Sequence, residues 1–304
     1  MSHVIMIDAG PLVSGREANR LALEMHVPKT LAASPALFFC MPGGGMSRGY
    51  FDLDAGGGEP FSFARAMIAA GHVVVAIDPV GVGESSRPED GFALTSTVTA
   101  ALNHQAFAAM REMDLGGLAL GAMPVIGVGH SAGGLLAVLQ QTTFGDFAAL
   151  LLLCFGSGGL PEHFPAEYLA AAARPDFDRA RIIDMARHKF GGVGYMPIRA
   201  RPPETPSARA LSGAYSTSPS VIGMHAMTPG NVRTEIAQLD CPVFLALGER
   251  DMTGPPHLLS GDFEACPDLT TYVAKGAGHH LFLIPEAPAL YARIAHWAGG
   301  IALR

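Results

Sequence analysis

Short apolar runs alternate along this chain with longer segments rich in Ala and Leu. Strands are predicted at 36–41 (ALFFCM), 73–78 (VVVAID), 124–129 (PVIGVG), 149–154 (ALLLLC), 243–248 (VFLALG) and 270–274 (TTYVA). Several are apolar almost throughout, as strands covered on both faces must be. Helices are predicted at 61–70, 95–114, 132–144 and 286–298, where good helix formers dominate and Pro288 alone interrupts, close to a helix start. This alternation is that of a mostly parallel sheet wrapped by helices. Residues 3–27 read as a β-hairpin or two edge strands.

Residues 156–239 break the rhythm. No buried strand is evident there, only helix-like patches at 162–173, 176–190 and 217–227 with Pro-rich connections such as RARPPETP at 199–206. A helical insertion between two core strands, placed over the open end of the sheet, is the simplest account.

Composition narrows the picture. Of 304 residues, 49% are hydrophobic and 15% charged, enough for a large core and unlike a disordered chain. A net charge of −7 and the lack of a basic stripe argue against a nucleic-acid partner. The longest apolar run, FAALLLLCF at 147–155, is too short to cross a bilayer, and no membrane partner is expected. The N-terminus lacks a basic region and carries Asp8, so no secretory signal is expected. Cys40, Cys154, Cys241 and Cys266 show no CxxC spacing. They read as reduced, mostly buried thiols of a cytoplasmic protein, without a structural zinc site.

The chemistry-bearing residues follow strands. Gly129-His130-Ser131-Ala132-Gly133 fits G-x-S-x-G between a strand and a helix. A turn sharp enough to raise Ser131 above the sheet strains its backbone and needs flanking residues without side chains. The competing reading is a helix-capping serine. Pro42-Gly43-Gly44-Gly45-Met46 follows another strand and can turn backbone N–H groups toward a developing negative charge. No GKS or GKT follows it, and a dinucleotide fingerprint would need glycine at Arg48. The expected oxyanion donors are the amides of Ala132 and Gly44, with Gly45 in reserve; one such donor is worth on the order of 3 kcal/mol.

A serine nucleophile needs a base, and the base an orienting group. Asp251 lies in the loop after strand 243–248, with Glu249 as the competing carboxylate. His279 follows strand 270–274 in the stretch KGAGHHLF, beside His280. The chain order Ser131, Asp251, His279 is the one that accompanies a nucleophile elbow.

These residues resemble those of the α/β-hydrolase fold superfamily. VGHSAGG is similar to its nucleophile elbow, GERD to its acid loop, DPVGVGES at 78–85 to its D-x-x-G-x-G-x-S turn, and Gly276-Ala277-Gly278-His279 to its G-x-G-H base. Pro42 departs from the histidine that usually opens the oxyanion loop. The resemblance implies an α/β core over 1–155 and 240–304 and a helical cap or lid over 156–239. It further implies a serine hydrolase of carboxylic esters or lactones with catalytic Ser131, Asp251 and His279. His280 is expected at the site edge or packed beneath it. No cofactor and no metal are expected, and the partner is a small, apolar ester or lactone. The fold also supports C–C bond hydrolysis, perhydrolase or haloperoxidase-like chemistry, amide cleavage, hydroxynitrile lysis or a non-catalytic ligand receptor.

Overall fold

A computed structural model describes residues 2–11, 18–114, 118–174, 176–198 and 204–302. Its centre is an eight-stranded sheet. The strands are β1 (Ser2–Asp8), β2 (Arg20–His26), β3 (Leu37–Met41), β4 (Val73–Asp78), β5 (Val125–His130) and β6 (Ala149–Leu153). Two minor strands follow, β7 (Tyr195–Met196) and β8 (Ser218–Pro219), which pair only with each other; β9 (Val243–Gly248) and β10 (Leu269–Ala274) complete the main sheet. The order across it is β1-β2-β4-β3-β5-β6-β9-β10. β1 and β2 run antiparallel to their neighbours and every other pair is parallel. The N-terminal strands expected within 3–27 are thus an antiparallel edge pair, with residues 12–17 outside the described residues.

The apolar strands are explained by alternation between two cores. Leu37, Phe39 and Met41 face one core, with α2 (Ser96–Arg111) and α3 (Ala132–Phe144) packed against it. Phe38 and Cys40 face the other, covered by α1 (Phe63–Ala69) and by the C-terminal helix Ala287–Ile301. With both faces buried, no position in β3, β4, β5, β6 or β9 is left for a solvated side chain.

Between β6 and β9 the chain forms α4 (Ala166–Ala172), α5 (Ala180–Lys189), α6 (Pro206–Ser212), α7 (Ser220–Met227) and α8 (Arg233–Ala237). Of the Pro-rich connection at 199–206, residues 199–203 lie outside the described residues. α6 and α8 lie outside the expected helical patches, and α8, five residues long, is little more than one turn. This segment has its own small core of Phe164, Tyr168, Ile182, Ala186, Val221 and Met224, into which Phe92 from the loop after β4 inserts. After β9 come α9 (Pro256–Leu259), β10 and α10, the helix Ala287–Ile301. No described helix is long and apolar enough to cross a membrane.

Parallel register brings the strand ends together: Met41 lies opposite Gly129, His130 opposite Leu153, Leu153 opposite Ala246 and Gly248 opposite Ala274. An aromatic cluster supports the final loop at this edge. Phe282 stacks on Phe63 with centroids 5.4 Å apart and also meets Tyr50, Phe51 and Tyr291. Phe282 is fully buried. Phe282→Ala is therefore expected to lower unfolding stability by about 3–5 kcal/mol, measurable as a shift in the urea midpoint.

Candidate active site

The edge where the parallel strands end carries every candidate residue. β5 ends at His130 and α3 starts at Ala132, so the chain reverses within one residue. Ser131 adopts φ 52° and ψ −119°, a conformation that costs a non-glycine residue about 1–3 kcal/mol. It is held by its own N–H, which donates to Leu153 O at 2.9 Å, and by its carbonyl, which accepts from Gly134 N at 2.8 Å. Its side chain does not cap α3. The close approach of helix to sheet demands glycine at 133, where a Cβ would sit 2.1 Å from Met41 O.

Asp251 and His279 meet although they arise from different loops. His279 Nδ1 lies 2.8 Å from Asp251 Oδ1, whose side chain is fully buried. Asp251 Oδ1 also accepts from Thr253 N at 3.2 Å. Burial alone would raise the Asp251 carboxyl, but the hydrogen bond and charge of His279 outweigh it and hold the group at about 2. Glu249, the competing carboxylate, accepts instead from Gly276 N at 2.8 Å and so braces the histidine loop. The two loops are further joined by Arg250 N donating to Ala277 O at 2.9 Å.

Two residues of this edge were not assigned a place in the site from the sequence. His130 fills the variable position of G-x-S-x-G, yet it is buried and its Nε2–H donates to His279 O at 2.8 Å. The signal was there: a polar residue at the end of an apolar strand needs a buried partner. Burial, with the nearby charges of His279 and His280, drives the His130 imidazole well below its ordinary value and keeps it neutral. Cys154, read as a plain buried thiol, has φ 51° at the end of β6 and sits beside Asp251. His130, Cys154 and His279 have ligand-type atoms within 4.8 Å of one another. A cation there would have to compete with the bonds His130 and His279 already make.

His280 turns away from Asp251 toward Tyr50, whose hydroxyl is 3.5 Å from its Nδ1. Tyr50 in turn stacks on His130, centroids 4.4 Å apart. Burial and the neighbouring His279 charge lower His280 to about 4. Ser131, His279 and His280 open onto one pocket of about 270 Å³. Gly43, Gly44 and Ala132 line the same pocket, and its walls include Met46, Phe155, Leu160, Met196, Met227 and Met252. A side chain built on Gly44 would stand 3.8 Å from Ala132 Cβ, so the two backbone segments face each other. Ala132 opens a helix whose first amides lack intrahelical acceptors. The amide of Gly45 is taken by Ser218 Oγ at 3.1 Å.

Comparison with known proteins follows the same lines. A family model described as "Alpha/beta hydrolase family" matches residues 37–294. Among curated proteins none matches. Solved structures with a similar fold include a thermophilic esterase from Thermogutta terrifontis, 17% identical, TM-score 0.64, spanning 98% of this chain and 99% of that one. A carboxyl esterase from Bacillus coagulans is 16% identical, TM-score 0.67, over 99% of each chain. A bromoperoxidase from Bacillus anthracis is 17% identical, TM-score 0.62, over 98% and 99%. At these identities the likeness establishes the fold alone.

The Asp251 carboxyl is depressed in the folded chain relative to about 4 in the unfolded one. Its contribution to stability is therefore complete above about pH 4 and is lost as pH falls toward 2. Asp251→Asn should flatten the melting temperature against pH between about 2 and 4, read by thermal denaturation beside wild type.

Proposed function

The chain belongs to the alpha/beta hydrolase family, and from that premise we propose that it hydrolyses a carboxylic ester or lactone with an apolar acyl part. The observation that carries this reading is the 2.8 Å His279–Asp251 hydrogen bond at the rim of an apolar pocket that also holds Ser131. With Nδ1 committed to Asp251, the Nε2 of His279 is the nitrogen free to take a proton.

In the first step His279 removes the Ser131 proton as Oγ attacks the substrate carbonyl. Asp251 orients the ring and stabilises its charged form. The developing oxyanion is received by the amides of Ala132 and Gly44; Gly45 is set aside because Ser218 already occupies its N–H. His279 then returns the proton to the leaving alkoxide, and the C–O bond breaks to leave an acyl-serine. Water activated by His279 attacks that ester and releases the acid.

Residues 156–239 act in this reading as the cap: Leu160, Met196, Gly223 and Met227 furnish one wall of the pocket. Four methionines in the lining, Met46, Met196, Met227 and Met252, favour an apolar group of adaptable shape over a rigid polar one. Four free thiols, three of them buried, fit a reducing cytoplasm.

A fluorophosphonate probe should label the folded chain at Ser131, mapped by mass spectrometry; absence of that adduct would sink the hydrolase reading in favour of a ligand receptor. With p-nitrophenyl esters, His279→Ala should lose roughly 10⁴-fold or more in kcat, whereas His280→Ala should alter KM before kcat. A reversed result would move the base to His280. A graded acyl series should show kcat/KM rising with chain length until the pocket is filled, and a preference for charged acyl groups would count against the apolar assignment.

A further inference from the structure

Three consecutive glycines make residues 43–45 the least self-determined backbone of the site. Met46 N donates to Gly43 O at 3.1 Å and closes a turn across Gly44 and Gly45. Gly45 has φ 79°, as the third position of a type II turn requires. With glycine at both central positions, a flip of the Gly44–Gly45 peptide meets little steric resistance; it would reverse the Gly45 N–H and the Gly44 carbonyl and change the turn that holds Gly44. Nothing within the loop's own sequence forbids it.

The restraint comes from the insertion. Gly45 N–H donates to Ser218 Oγ at 3.1 Å, while Gly45 O accepts from Ser216 N at 2.8 Å. Both sides of the glycine are thus held by one short stretch. Ser47 N donates to Ala214 O at 2.8 Å, and Met46 forms an isolated bridge with Tyr215. The stretch is itself tied to the core, because Ser216 Oγ accepts from Gly83 N at 2.8 Å in the turn after β4. Ser216 and Ser218 are both buried. Ser218 also pairs with Met196, a wall of the pocket.

We propose that Ser218 is a positioning residue for the oxyanion hole. Its hydroxyl fixes the Gly44–Gly45 peptide and with it the turn across 43–46; the Gly44 N–H, which belongs to the preceding Gly43–Gly44 peptide, is held in place as a donor through that turn. Residues 214–218 are then a fixed part of the catalytic frame, although they belong to the insertion. This rests on the ester-hydrolysis reading, with Gly44 as donor.

Ser218→Ala removes the acceptor and leaves every other contact of the loop in place. Amide exchange over 42–47, followed by mass spectrometry on the full chain, should quicken by about 5- to 10-fold, the equivalent of one ordinary hydrogen bond. With p-nitrophenyl butyrate, kcat should fall by about 10- to 100-fold. KM should stay within about twofold, and the kcat–pH profile should not move, because the Asp251–His279 pair is untouched. Gly45 supplies a second test should Ser218→Ala fail to fold. A Cβ at Gly45 meets open space, so Gly45→Ala perturbs only the backbone, and it should lose more kcat than Gly45→Asn, which tolerates positive φ. Unchanged exchange and unchanged kcat in Ser218→Ala would overturn the proposal, as would a loss accompanied by a displaced pH profile or by equal losses in the two Gly45 variants. A wild-type chain that neither cleaves esters nor labels at Ser131 would sink the ester reading instead, and the exchange comparison would still decide whether Ser218 holds the 43–46 turn.

Discussion

The site depends on one constraint, the strained reversal at the ends of β5 and β6. Among the described residues only Ser131 and Cys154 are non-glycine residues with positive φ. They are neighbours: His130 pairs with Leu153, so the next step along each strand reaches Ser131 and Cys154. Each position costs about 1–3 kcal/mol, and the parallel ladder offsets it. Ser131 N–H is satisfied by Leu153 O and Cys154 N–H by Ala246 O, both within 2.9 Å. Had either strand relaxed into an ordinary exit, those donors would have lost their acceptors. The ladder that makes the core thus also sets the angle at which Ser131 leaves it.

Electrostatics then separates three adjacent histidines. The rings of His130, His279 and His280 lie within 5.6 Å of one another by centroid. Burial disfavours the charged form of His130 and His280, and the charge of His279 disfavours it further. His279 alone has a carboxylate on its ring nitrogen. The other two serve by shape: His130 holds the His279 backbone, and Tyr50 packs against both His130 and His280.

Much of this was legible in the sequence because parallel strands announce themselves. All six predicted core strands, and the helices at 61–70, 95–114, 132–144 and 286–298, recur within a few residues of their expected ends. Ser131, Asp251 and His279 are candidates because each follows a predicted strand and because of their order along the chain, and the structure brings Asp251 and His279 into contact. What escaped was non-local. His130 looked like filler in a motif, since its partner is the carbonyl of a residue 149 positions away. The partner of the Gly45 amide is Ser218, 173 positions away. No periodicity marks a hydroxyl for such a role.

The same division separates frame from specificity. Buried β-branched and aromatic strands must satisfy a period and a packing density, and the fold they build is shared with solved structures only 14–18% identical. The pocket walls obey no such rule. Met196, Met227 and Leu160 come from a segment of short helices and tight turns, and Met252 from a loop. In the ester-hydrolysis reading proposed above, flexible side chains there can follow different substrate shapes while the glycine loop beneath them must hold still, since a donor displaced by about 1 Å can cost a hundredfold in rate. The insertion meets both demands by dividing along its length. Residues 214–218 are bound to the frame through backbone and serine contacts, and the apolar side chains on either side of that stretch are left to shape the space above Ser131.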